Sequence, residues 1–84
     1  MLYYLLFCRS ITYAQKTAKA LERAGIGAVI VKTPLNLTVE GCSYCVRVPE
    51  RKIADALVAV KRAGLPPVRV FARSELGVYG EVEL

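Results

Sequence analysis

Hydrophobic positions divide this chain into continuous runs and spaced stripes, and the two patterns alternate. Leu2 to Cys8 is an unbroken apolar run of aromatic and aliphatic residues, the signature of a strand buried on both faces. From Thr12 the pattern takes on a helical period, with Ala14, Ala18 and Leu21 on one stripe. Gln15 follows Thr12 by three residues, as in a capping box, and Gly25 ends the helix at the position where a positive φ favours glycine. Ala28 to Val31 reads as a second, short strand. Lys32 to Gly41, with Pro34 and Asn36, reads as a loop. The third strand covers Tyr44 to Val48. Pro49 opens a second helix, where a missing N–H costs little, and Ile53, Leu57 and Val60 form its stripe. Gly64 closes that helix and Pro66-Pro67 prevent its continuation. Val68 to Ala72 is a fourth strand, and the acidic, glycine-containing stretch from Ser74 could add an edge strand through Val78 to Leu84.

The order is therefore β-α-β-β-α-β, and its halves echo each other. Arg23-Ala24-Gly25 recurs as Arg62-Ala63-Gly64, each after an alanine-rich helix and before a valine-rich strand. This order predicts an α+β, ferredoxin-like sandwich: an antiparallel sheet with two helices on one face. Residues 1–73 would form the domain, and residues 74–84 an extension or extra edge strand. Strand alternation assigns the faces. With Tyr44, Val46, Val48 and Val70 toward the helices, Cys45, Arg47, Arg69, Phe71 and Arg73 point away. The face without helices should then be open.

Composition narrows the chemistry. The chain has 84 residues, enough for one small domain with a thin core. It has no His, which excludes a His base, a His metal ligand and any His-containing triad. Sulfur remains as the good nucleophile and soft ligand. Three cysteines are an odd number for a disulfide scaffold and point to thiols in a reducing compartment. Leu2 to Cys8 is too short to span a bilayer and lacks the flanks of a signal peptide, so no membrane association and a cytoplasmic location are expected. The formal charge of +5 suits an anionic partner and equally a protein without one.

Gly41-Cys42-Ser43-Tyr44-Cys45 holds a C-x-x-C. A redox C-x-x-C normally sits at a helix N-terminus, whose dipole stabilises the thiolate. This one runs into a strand, where residues three apart face opposite ways. Cys42, following Gly41 in a loop, is the candidate reactive thiol. Arg9, Lys32 and Arg47 are candidates to stabilise its thiolate. Cys45 would resolve an adduct as a disulfide if near enough, or else pack as a small strand residue. Cys8, ending the first strand, reads as a core thiol near a functional rim. A closed zinc site would need two ligands beyond the C-x-x-C, and Cys8 is the only other thiol, so no metal and no cofactor are expected. Ser10 with Arg9 at the first helix could hold an anion or simply cap the helix.

Two segments carry a family resemblance. Phe7-Cys8-Arg9-Ser10-Ile11-Thr12-Tyr13-Ala14-Gln15-Lys16 resembles the strand-to-helix turn of the small bacterial proteins called putative selenium/sulfur carrier protein-like, formerly a domain of unknown function. Thr33-Pro34 followed by Gly41-Cys42-Ser43-Tyr44-Cys45-Val46-Arg47-Val48 is similar to that family's proline loop and the Cys-Gly-containing start of its strand. Cys42 matches the family's cysteine, Ser43 stands where glycine is usual, and Cys45 falls where a small strand residue is common. The resemblance implies a carrier or relay that holds sulfur or selenium on a cysteine and passes it to a transfer partner protein, rather than a stand-alone enzyme.

The open sheet face suggests alternatives. Arg69 and Phe71, with Arg47, could serve a non-catalytic module that binds RNA or protein there. The RNP1 signature is missing, which makes nucleic acid the weaker partner. A second copy covering the face would form a homodimer. A regulatory domain binding a small ligand at such an interface is a third reading.

Overall fold

In the computed structural model, which describes residues 2–33, 44–65, 67 and 69–82, the runs and stripes become strands and helices in the expected sequence. Strand β1 spans Tyr3–Cys8, helix α1 Ile11–Arg23, β2 Val29–Lys32 and β3 Tyr44–Pro49. A 3₁₀ turn at Glu50–Lys52 leads into helix α2, Ile53–Arg62, followed by β4 at Arg69–Arg73 and β5 at Tyr79–Val82. The five strands form one sheet in the order β2-β3-β1-β4-β5, and every neighbouring pair is antiparallel. This small α+β arrangement is compatible with a ferredoxin-like fold. No helix among the described residues is long and apolar enough to cross a membrane.

The central strand is the reason for the unbroken apolar run. β1 lies between β3 and β4 and meets core on both sides, so Leu5, Leu6, Phe7 and Cys8 are all buried. On the helix side Leu6, Cys8, Val46, Val48 and Val70 pack with Ala14 and Leu21 of α1 and Ala56 and Val60 of α2. Each large side chain buried there contributes roughly 1.5–3 kcal/mol. Thr17 is the buried polar member of α1, and its hydroxyl oxygen lies 3.9 Å from the Cys8 thiol, which also points at the Leu6 carbonyl at 3.5 Å.

The repeated Arg-Ala-Gly ends both helices in the same way. Gly25 and Gly64 have φ of 76° and 71°. Ile26 N–H donates to Leu21 O and Gly25 N–H to Glu22 O; Leu65 N–H donates to Val60 O and Gly64 N–H to Lys61 O. These are paired Schellman bonds, satisfying carbonyls that would otherwise lack partners.

The helix starts differ from the expectation. The N-cap of α1 is Ser10 rather than Thr12: the Ser10 hydroxyl accepts from Tyr13 N–H at 3.2 Å. Ser10 is extended, as an N-cap requires, whereas Thr12 already lies inside the helix. Pro49 is the last residue of β3, and the 3₁₀ turn intervenes before α2. The C-terminal stretch is integral to the sheet. β5 pairs with β4 through a turn in which Ser74 N–H donates to Val78 O, Val78 N–H donates to Ser74 Oγ, and Gly77 has φ of 79°. Val82 packs on the helix-side core and Tyr79 on the opposite side.

The face opposite the helices carries the predicted residues, but its centre is not open. Leu5, Phe7 and Cys45 are 0–1% exposed and Phe71 is 9% exposed, with Tyr3, Val31 and Tyr79 packed against them. Phe7 and Phe71 place their ring centroids 4.9 Å apart. Side chains from neighbouring strands interlock across this face and form a second small core. A homodimer over this face therefore has less apolar surface to bury than the alternation alone suggested.

Candidate functional site

Antiparallel register sorts the candidate residues into two ends of the sheet. At the first end, Lys32 of β2 pairs with Tyr44 of β3, and Tyr44 pairs with Cys8 of β1. Adjacent strands lie about 4.8 Å apart, so Lys32 and Cys8 are separated by about 10 Å across this row. Arg9 and Ser10 continue from Cys8 into α1. Lys32, Arg9 and Ser10 are all exposed. The Arg9 guanidinium carbon rests 5.1 Å from the centroid of the Tyr13 ring, and Ser10 caps the helix. Tyr44 is the second residue after Cys42 in the sequence. Gly41 and Cys42 themselves lie outside the described residues, as do Pro34, Asn36 and Ser43.

Cys45 belongs to the second core rather than to a surface. It pairs with Phe7 on one side and Val31 on the other, and is fully buried. The packing reading of this residue, a small strand side chain among apolar neighbours, matches that position. Cys8 is also buried, at 4% exposure, on the helix side. These two thiols therefore sit on opposite faces of the sheet.

Arg47 lies toward the other end. It pairs with Leu5 and Val29, three residues along β3 from Tyr44, which is about 10 Å of strand. The structure does not group it with Arg9 and Lys32. It joins a cluster that the sequence reading did not select. The Arg47 and Arg73 guanidinium carbons lie 5.4 Å and 5.5 Å from the centroid of the Tyr3 ring. The Tyr3 and Tyr79 hydroxyls are 3.4 Å apart. Burial, together with the Tyr3 hydroxyl, pushes the Tyr79 phenol above its ordinary value, while the Arg73 charge pulls the other way. The Tyr79 hydroxyl therefore keeps its proton at neutral pH. A signal for this cluster was present in the alternation, since Tyr3 shares a face with Leu5 and Phe7, and Arg73 with Arg69 and Phe71.

The two remaining candidates on this face are accounted for locally. Arg69 pairs with Glu81 at 3.6 Å, both side chains half exposed. Phe71 packs on Phe7 and offers little ring surface for a stacked base. No group of three or more His, Cys, Asp or Glu that could hold a metal occurs among the described residues.

Comparison with curated proteins and with solved structures returns no match. A family model does match, over residues 3–72, which takes in every element from β1 through most of β4. The chain thus belongs to the family described as Putative Se/S carrier protein-like.

Proposed function

We propose that this protein is a sulfur or selenium carrier in which Cys42 holds the chalcogen and hands it to a partner protein. The family match over residues 3–72 is the observation that carries this reading. We read the β2-β3-β1-β4 order as a ferredoxin-like sandwich with β5 added at its edge. The two cations at the Tyr44 end, Arg9 and Lys32, support it as a setting that favours a thiolate.

The step balances without an added oxidant. The Cys42 thiolate attacks the outer sulfur of a donor persulfide; the donor S–S bond breaks and its thiolate leaves with the electron pair. Cys42 then carries the persulfide, and attack by an acceptor thiolate repeats the exchange and restores Cys42. Cys45 is left out of this cycle because its thiol is wholly buried.

The test is incubation with a cysteine desulfurase and cysteine, followed by alkylation and mass mapping. Cys42 should gain one sulfur, Cys42→Ser should gain none, and Cys45→Ala should load as the parent does. Loading that survives Cys42→Ser, or is lost with Cys45→Ala in a folded variant, would overturn the assignment.

A further inference from the structure

At the Tyr3 end of the second face, two guanidiniums approach one aromatic ring from neighbouring strands. β1 is central, and β3 and β4 flank it, so Arg47 and Arg73 reach Tyr3 from either side. Neither has a carboxylate within 4.0 Å among the described residues, whereas Arg69, two residues from Phe71 on the same strand, is paired with Glu81. Glu50 and Glu75 line the adjoining groove with Arg73 but make no ion pair with it. The ring stabilises each cation modestly through its electron-rich face. Both guanidiniums also border one groove beside that ring, and an anion in the groove would be attracted by both charges.

The surroundings suit a particular kind of anion. A groove of about 500 Å³ opens there, lined by Leu2, Tyr3, Val29, Arg47, Pro49 and Arg73. That volume is in the range of small-molecule sites. Guanidinium forks match phosphate oxygens in geometry. Leu2, Val29 and Pro49 offer apolar surface to whatever the phosphate is attached to. The groups stand on strands held by register, so the site is preorganised rather than assembled on a loop.

We propose that Tyr3, Arg47 and Arg73 form a binding site for a phosphorylated small molecule, with Arg47 and Arg73 holding the phosphate and Leu2, Val29 and Pro49 supporting its organic part. The site uses no cysteine and stands independently of the carrier reading.

Titration of the full chain with phenyl phosphate and with inorganic phosphate, followed by calorimetry and backbone amide NMR, tests this. Phenyl phosphate should bind saturably with shifts at Tyr3, Arg47 and Arg73, and about fivefold or more tighter than inorganic phosphate because of the apolar floor. Arg47→Gln and Arg73→Gln should each weaken it about tenfold, and Arg69→Gln by less than about twofold. Each variant is checked by its melting curve. The proposal fails if neither phosphate saturates by about 10 mM, a weak limit for any specific site. It also fails if Arg69→Gln weakens binding as much as Arg73→Gln. Displacement of phenyl phosphate by an acidic decapeptide or a single-stranded oligonucleotide at much lower concentration would assign the face to a macromolecule instead.

Discussion

The two ends of the sheet use positive charge differently. At the Tyr44 end the cations stand apart: Arg9 lies over Tyr13, Lys32 is exposed at the end of β2, and Arg69 on β4 is paired with Glu81. At the Tyr3 end two guanidiniums share one ring with no carboxylate within ion-pair distance among the described residues. The first arrangement brings no two cations to a common ring. The second concentrates charge at a fixed point beside a groove. Charge count alone does not distinguish them. What differs is that Arg47 and Arg73 meet at one ring and border one groove, whereas Arg9, Lys32 and Arg69 do not share a site.

The most forceful way to break the separation is to remove what lies between the ends. Phe7 faces Cys45 and Arg69 in register and packs on Phe71. Phe7→Ala should cost about 3–5 kcal/mol of stability, read from urea unfolding. A cost below about 1 kcal/mol would mean that the second face holds no real core. A finer probe is Ser10→Ala at the Tyr44 end. Loss of the cap should cost about 1 kcal/mol while sulfur loading of Cys42 stays unchanged. A collapse of loading in a folded Ser10→Ala protein would give Ser10 a part in the chemistry beyond capping.

The smallest effect is expected at the Tyr3 end and in alkali. The folded protein holds the Tyr79 proton more tightly than the unfolded chain does, so this contribution to stability is full below the ordinary value of 10.0 and is lost as pH rises through the higher folded value. Urea midpoints should therefore be flat from about pH 7 to 9 with respect to this group and decline above about 10, and Tyr79→Phe should lessen the decline. An equal decline in Tyr79→Phe would place the alkaline sensitivity elsewhere.

Much of this architecture was legible because it depends on local rules. Alternation along β3 and β4 put Arg47, Arg69, Phe71 and Arg73 on the face away from the helices, and the second core and its rim contain these residues. Arg-Ala-Gly at Arg23 and Arg62 announced two helix ends that form the same hydrogen bonds. The first helix start was misplaced by two residues because Ser10 and Thr12 are both capable caps. Only the extended backbone at Ser10 chooses between them. Arg47 was grouped with Arg9 and Lys32 because sequence proximity to Cys42 cannot express the roughly 10 Å that three strand residues span.

The sequence by itself determined the elements, their order, the two faces of the sheet and the absence of His from any mechanism. Each follows from periodicity, turn chemistry or composition, which act over a few residues. Tertiary structure decided which charges found partners, that Cys45 is fully buried, and that Tyr3 and Tyr79 meet across 76 positions of chain. Those outcomes depend on strand order and register, where a shift of one residue exchanges every inward and outward side chain. The Tyr3 cluster became visible only once β3, β1 and β4 lay side by side.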